Sequence, residues 1–512
     1  MTCPKSSRPN ILFVMFDQMA ALSLPGYGHR LVKTPNLDRL AAAGTLFENA
    51  YCNSPLCSPA RFALITGCRA SRIGAYDNAA ELPSGIPTLP HYLRAAGYRT
   101  CLSGKMDFTG ADQLHGYEER LTTDLAPADF GWVPDWTHPD AVQPWYHTLQ
   151  SVAEAGPADY SLAMQYDEDA VFKAGQWLHQ AAGDADSRPF MLTVSIMHPH
   201  DPYQGPRRFW EMYDHGAIDL PQVEPLPPAA RDKVGQRMYR LYDRGEIPVG
   251  EREIRNARHA YYAMISYADD LLGQLLMKLD LLGLAGNTIV VATSDHGDML
   301  GERGLWYKMN FFERAVRVPL ILAGPGIRAG QRMPQPVSHL DLLPTLMELA
   351  QGGGFSPAGR LDGDSLASAL RRGEPPRGEV IGEYMGEGFD HPVVMLRRDR
   401  WKLVYSRRDG ASLYDLDADP LETRNLANDI AYEEQVRGLI AEIERRWDLD
   451  RIQADVLESQ NRRRLIHKAL TQGKISPWDY EPRLDAGNVY YRNYRPDMPD
   501  PERTLRFPRA KD

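Results

Sequence analysis

Four short apolar runs in this chain each end abruptly in a polar cluster. Ile11–Phe16 meets Asp17-Gln18, Tyr98–Ser103 meets Gly104-Lys105, Phe190–Met197 meets His198-Pro199-His200, and Asn287–Thr293 meets Ser294-Asp295-His296-Gly297. Continuous apolar runs of this length fit strands covered on both faces, as in a parallel sheet. Helical-looking segments lie between them, at Asn36–Ala43, Leu89–Ala96, Asp167–Gln180 and Arg258–Leu282. This alternation predicts an α/β fold. Ligands of open α/β sheets bind beyond the carboxyl ends of the strands, so the four polar clusters are expected to share one site.

The texture changes near residue 370. The segment Arg371-Arg372-Gly373-Glu374-Pro375-Pro376-Arg377-Gly378 reads as a linker or surface loop. Closely spaced strand-like pieces follow at Val380–Tyr384, Val393–Arg397, Trp401–Tyr405 and Ser412–Leu416, which predict a small antiparallel sheet. Val436, Leu439, Ile440, Ile443 and Trp447 recur at helical spacing and predict a helix over it. The expected domains are therefore 1–370, a catalytic α/β body, and 371–475, a small sheet with a helix. Residues 476–512 are expected to form an extended tail. Its aromatics, such as Tyr490-Tyr491-Arg492-Asn493-Tyr494, would lie in water unless the tail wraps a neighbouring subunit. A homo-oligomer, dimer or tetramer, is expected on that reading.

The formal net charge of −10 argues against nucleic acid or an anionic membrane as partner, since both favour a basic face. Five cysteines in 512 residues, an odd count with no CxxC pair, do not form a disulfide framework. Ile11–Phe16 is too short for the apolar core of a signal peptide and is followed by Asp17. No run reaches the roughly 18 apolar residues of a membrane span. Cytoplasmic residence is expected.

The segment Cys57-Ser58-Pro59-Ala60-Arg61, followed by Thr66-Gly67, resembles the modification signature of the type I sulfatases, whose cysteine is oxidised to formylglycine. Such an aldehyde hydrates to a geminal diol, in which one oxygen attacks and the other later expels the product. The remaining residues suit that chemistry. Asp17, Asp295 and His296 offer two carboxylates and an imidazole for one divalent ion, Ca²⁺ ahead of Mn²⁺ or Mg²⁺, with Gln18 adding an amide oxygen. The ion would also hold the modified Cys57 and lower the pKa of its attacking hydroxyl. Arg61, Lys105 and Lys308 are the cations expected around a sulfuryl group, where negative charge builds as the S–O bond breaks. His200 is the expected hydrogen-bond donor to the leaving oxygen, with His198 as its alternative or as a buttress of the loop. Trp132 and Trp145, with His147, lie in aromatic-rich segments, and aromatic faces attract quaternary ammonium groups. Glu383 or Glu387 is expected to supply the counter-charge.

The wider resemblance is to the type I sulfatases of the alkaline phosphatase superfamily and covers nearly the whole chain. It is carried by Asn10-Ile11-Leu12, Asp17, the Cys57 signature, Ser294-Asp295-His296-Gly297 and Lys308. Longer phrases, including Tyr76-Asp77-Asn78-Ala79-Ala80-Glu81 and Asp112-Gln113-Leu114-His115-Gly116, resemble the choline-sulfatase branch, which also shares Gln18. The resemblance implies a doubly wound α/β body and hydrolysis of a small sulfate ester, choline-O-sulfate, through a sulfated formylglycine. It also implies a formylglycine-generating enzyme during maturation and intertwined C-termini in an oligomer. One position departs from the family. Where relatives carry Gly-Lys-x-His, this chain reads Gly104-Lys105-Met106-Asp107. A carboxylate beside an anion at about 4 Å and an effective dielectric near 20 is repelled by roughly 4 kcal/mol, about three powers of ten in rate. Two alternatives accompany the sulfatase expectation: a phosphonate monoester or phosphodiester hydrolase on the same scaffold, and a catalytically impaired sulfate-ester binder in which Asp107 is the defect.

Overall fold

The structure is a computed structural model describing residues 8–475 and 478, apart from 127, 184–185, 228–230 and 243–246. Its nine-stranded sheet runs in the order Gln331–Ser338, Gly44–Tyr51, Leu320–Ala323, Thr288–Ser294, Asn10–Phe16, Phe190–Ile196, Arg99–Gly104, Glu119–Arg120, with Arg317–Val318 paired beside Gly44–Tyr51. The four apolar runs of the sequence are four adjacent, mutually parallel strands of this sheet. Every residue of Asn10–Phe16, Phe190–Ile196 and Thr288–Ser294 is buried, as their unbroken apolar character requires.

Register brings the polar clusters together. Phe16 lies opposite Ile196 on one side and Ser294 on the other. Asp17 and Asp295 therefore leave the sheet as neighbours, with the Asp17 N–H on the Ile196 carbonyl at 3.0 Å and the Asp295 N–H on the Phe16 carbonyl at 3.1 Å. On the next strand, Gly104 has φ +101°, and a Cβ there would stand 1.9 Å from the Ser195 carbonyl oxygen. Only glycine fits that turn, which delivers Lys105 to the same edge.

Two strands depart from a purely parallel arrangement: the short Arg317–Val318, antiparallel to Gly44–Tyr51, and a longer one. Leu320–Ala323 is antiparallel to both neighbours, so the sheet is mixed. Apolar content carries no strand direction, which is why the sequence does not announce this. The expected helices occur and mostly extend further, as Pro35–Ala43, Leu89–Ala95, Leu162–Gly183 and Glu251–Leu281.

A separate antiparallel sheet follows, in the order Glu379–Tyr384, Val393–Arg398, Trp401–Ser406, Gly410–Asp415. Strand alternation divides its side chains. Val394, Leu396, Leu403 and Leu413 pack with Val436, Leu439, Ile443 and Trp447 at the helix Glu433–Arg446, while Val380, Val393, Met395 and Tyr414 join the main core. A further helix, Leu449–Leu470, has no apolar periodicity to announce it. Polar contacts hold it instead, including Arg463 on Asp77 and Gln460 on the Trp136 N–H. Among the described residues Cys52, Cys57, Cys68 and Cys101 are free thiols, and no helix is long and apolar enough to cross a membrane. The expected oligomerisation arm lies outside the described residues, apart from Trp478, which meets Phe130 edge-on at 5.2 Å.

Candidate active site

Cys57 opens the helix Cys57–Thr66, all of whose residues are buried. Gly67, left-handed at φ 62°, ends it, which accounts for the Thr-Gly pair after the signature. The Cys57 Sγ lies 3.2 Å from His296 Nε2. Ligand atoms of Asp17, Cys57, Asp295 and His296 all fall within 4.8 Å of one another. Burial pushes the Cys57 thiol up to about 12, despite Lys105 and Lys308 nearby. The unmodified side chain is therefore a neutral thiol and a poor nucleophile at ordinary pH. In the structure its sulfur stands where the oxygens of a modified residue would be.

The donor set fits a hard divalent cation. Asp17 Oδ1 is buried and accepts no hydrogen bond, which is costly for a carboxylate oxygen with no cation of its own. His296 Nδ1 faces the Gly297 carbonyl at 3.1 Å, so Nδ1 carries the proton and the Nε2 lone pair points at the acids, 3.9 Å from Asp17 Oδ1 and 3.7 Å from Asp295 Oδ2. Burial holds this imidazole down at about 4, keeping it neutral for ligation.

The cations divide into two kinds. Arg61, expected with Lys105 and Lys308 around a sulfuryl group, is fully buried. Its guanidinium donates to Asp295 Oδ2 at 3.0 Å, Asp17 Oδ2 at 3.0 Å, the Lys105 carbonyl at 2.7 Å and Ser195 Oγ at 2.8 Å. These bonds tie it to the two acids. Lys105 donates to Asp17 Oδ2 at 2.6 Å and lies 3.4 Å from Asp107. Asp107 is buried between Lys105 and Arg61, the latter at 3.8 Å. Burial pushes its carboxyl up to about 6 against the pull of those two cations.

Lys308 is presented from a strained loop, with Tyr307 and Met309 both left-handed at φ 61° and 72°. Its ammonium donates to Gln18 Oε1 at 2.6 Å and to His200 Nε2 at 2.9 Å. The amide oxygen expected on the metal is thus engaged by Lys308, while the Gln18 NH2 reaches Asp298 at 2.7 Å and Asp201 at 3.1 Å. His200 Nδ1 lies 2.6 Å from the Asp201 carbonyl. A carbonyl only accepts and an ammonium only donates, so the tautomer is fixed: Nδ1 carries the proton and Nε2 is an acceptor. Burial and Lys308 hold His200 down at about 3, so it stays neutral. In this tautomer His200 Nε2 has no proton to give, and the nearest donor to it is the Lys308 ammonium. His198 buttresses the loop through Asp167, at 2.6 Å.

The aromatic residues form a wall. Trp132 and Trp145 stack at 6.2 Å, and Trp145 meets Tyr146 edge-on at 4.4 Å. His147 stacks on Tyr307 at 4.4 Å and pairs with Asp201 at 3.3 Å. The Trp136 indole donates to the Gly386 carbonyl at 3.2 Å, beside Glu387. Glu387 Oε2 is buried and accepts no hydrogen bond. Its carboxyl is pushed up by burial, although His147 and, more weakly, Lys308 pull it back. Glu383 does not join this wall as a free charge: it accepts from the Ser71 N–H at 2.7 Å, the Ser71 hydroxyl at 2.8 Å and the Trp447 indole.

Asp201, Asp298 and Ser195 belong to the site and were not foreseen. Asp201 and Asp298 each directly follow one of the polar clusters, five and four residues past the strand ends at Ile196 and Ser294, so proximity was the available signal. Ser195 is hidden inside an apolar strand and gives none.

Residues 9–353 match the family model described as Sulfatase, and residues 454–507 match one described as Choline sulfatase enzyme C terminal. A choline-sulfatase of Rhizobium meliloti (strain 1021) is 43% identical over 516 residues, covering 99% of this chain and 100% of the relative. Arylsulfatase K of Bos taurus is 31% identical, over 82% of this chain and 78% of its own. Among solved structures, the phosphonate monoester hydrolase SpPMH from Silicibacter pomeroyi superposes with a TM-score of 0.69 at 25% identity, covering 86% of this chain and 95% of that one.

Proposed function

The chain belongs to the sulfatase family, and on that footing we propose that it hydrolyses choline-O-sulfate to choline and sulfate, with a formylglycine made from Cys57 as nucleophile. Full-length similarity to a choline-sulfatase supports the ester class. The observation that carries the alcohol is the buried, unpartnered Glu387 oxygen near Tyr146, the ring that ends the Trp132–Trp145–Tyr146 wall. A quaternary ammonium has no N–H to donate, so it binds by charge and aromatic faces, about 0.5–2 kcal/mol per well-placed ring. It would also relieve the desolvated carboxylate.

Asp17, Asp295 and His296 would hold one divalent ion, Ca²⁺ before Mn²⁺ or Mg²⁺, which would lower the pKa of a hydroxyl on the modified residue 57 and hold it for attack. Arg61 fixes both acids in place. Lys105 meets negative charge on the sulfuryl oxygens, and Lys308, held by Gln18 and His200, gives a proton to the leaving oxygen.

Glu387→Gln is expected to raise KM for choline-O-sulfate about tenfold or more. KM for an uncharged-alcohol sulfate ester should be left within about twofold. Parallel steady-state assays on the two esters check this; equal effects on both would refute the ammonium pocket. The solved SpPMH structure favours a second reading, a phosphonate monoester hydrolase. Competition between choline-O-sulfate and an aryl phosphonate in one assay separates the two.

Asp107 should act as a brake. Lys105 and Arg61 offset much of its charge, so Asp107→His is expected to raise sulfate-ester turnover by about tenfold rather than a thousandfold. The sign with pH follows from its raised carboxyl. Below about 6 the group is protonated and neutral, and above it the repelling carboxylate forms. The turnover ratio of Asp107→Asn to native should therefore climb as pH rises through about 6. A flat ratio, measured as kcat against pH, would refute the brake. By the same shift, the stability Asp107 contributes is complete below its unfolded pKa and lost as pH rises through about 6.

A further inference from the structure

We propose that Asn78 is a positioning residue for Cys57, capping the nucleophile's helix from another loop, and that Arg463 holds Asn78 in place. This deepens the reading of position 57 as the nucleophile and rests on it.

A helix start leaves its first N–H groups without intrahelical partners. The residue before Cys57 is Leu56, in extended backbone, and its side chain makes no capping hydrogen bond. The cap comes from elsewhere. The Ser58 N–H donates to Asn78 Oδ1 at 3.1 Å, and the Ser58 hydroxyl donates to the Asn78 carbonyl at 3.3 Å. The residue next to the nucleophile is thus clamped twice by one asparagine, close to where the sulfuryl group must meet residue 57.

Asn78 is itself anchored. Neighbouring Asp77 is fully buried and accepts both arms of the Arg463 guanidinium, at 2.5 and 2.7 Å, together with the Ala79 N–H at 3.0 Å. Arg463 sits 386 positions downstream, on the helix Leu449–Leu470. A bidentate pair of this kind fixes orientation as well as distance. The same helix holds the aromatic wall: Gln460 accepts the Trp136 N–H at 3.1 Å, and Arg464 donates to the Pro134 carbonyl at 2.5 Å. One helix therefore ties the start of the nucleophile's helix to the wall of the alcohol pocket. Small misplacement of a reacting atom is costly in rate and nearly neutral in binding, so the loss of this clamp should appear in kcat.

The test uses the full-length protein with residue 57 converted, comparing native, Asn78→Ala, Asn78→Asp and Arg463→Lys at equal conversion by mass. Asn78→Ala is expected to lower kcat about tenfold or more, with KM within about twofold. Asn78→Asp keeps an acceptor oxygen at the same reach and should keep the helix start capped, although its carboxylate repels the sulfuryl anion as that of Asp107 does. Native-state amide exchange at Ser58 should quicken in Asn78→Ala and Arg463→Lys and stay slow in Asn78→Asp. The proposal is overturned if Asn78→Ala keeps native kcat, if the loss falls on KM, or if Ser58 exchange is unchanged in Asn78→Ala. The exchange reading needs no substrate. Absence of sulfate-ester turnover in the native protein would sink the catalytic reading, while exchange still decides whether Asn78 caps the helix.

Discussion

Cys57→Ala is expected to abolish sulfate-ester hydrolysis, lowering kcat by at least about 10⁴-fold, while leaving the fold intact. The substitution removes one sulfur atom from a buried helix start whose neighbours are held by their own hydrogen bonds. Thermal stability should change little beside the rate. Cys57→Ser sharpens the test. Serine left as the alcohol supplies a hydroxyl in nearly the same place, yet has no second oxygen with which to expel sulfate. It should be almost as inactive as alanine over many turnovers. If serine left as the alcohol restored multiple turnover, an ordinary hydroxyl would suffice and the modified-residue account would fail.

Lys308→Ala is expected to lower kcat on choline-O-sulfate by about 10²–10³-fold. The argument is the fixed tautomer of His200. With Nδ1–H on the Asp201 carbonyl and Nε2 accepting from Lys308, the ammonium is the donor left to meet the leaving oxygen. Choline is a poor leaving group and needs that proton. An aryl sulfate with an acidic phenol needs it far less, so its loss should be no more than about tenfold. Steady-state kinetics on both esters decide the matter. Equal losses would make Lys308 a binding residue, and a larger loss in His200→Ala than in Lys308→Ala would return the proton to the histidine.

Much of this was legible in the sequence, for a physical reason. A strand buried on both faces must be continuously apolar, and a ligand site at its carboxyl end must be polar, so the break between them is visible. That break marked Asp17, Lys105, His200 and Asp295, and strand register then gathered them. Direction was not visible: Leu320–Ala323 looks like any other apolar strand and runs opposite to its neighbours. Roles were less visible than positions. Residue type made Arg61 a cation for substrate, whereas its hydrogen bonds bind it to Asp17 and Asp295. Glu383 and Glu387 stand four residues apart with the same chemistry. Only packing shows that the first is saturated by Ser71 and Trp447 and the second is open. The helix Leu449–Leu470 escaped because polar pairs hold it, and polar pairs leave no periodic trace.

The most direct measurement joins mass to rate at one position. The peptide containing Cys57 is weighed in preparations made with and without a formylglycine-generating enzyme, and turnover of choline-O-sulfate is measured on each. Conversion of the thiol to the aldehyde removes about 18 Da. The account predicts that kcat per protein rises in proportion to the converted fraction and falls to nothing where the thiol is untouched. Undiminished turnover by protein whose Cys57 is wholly unconverted would contradict it.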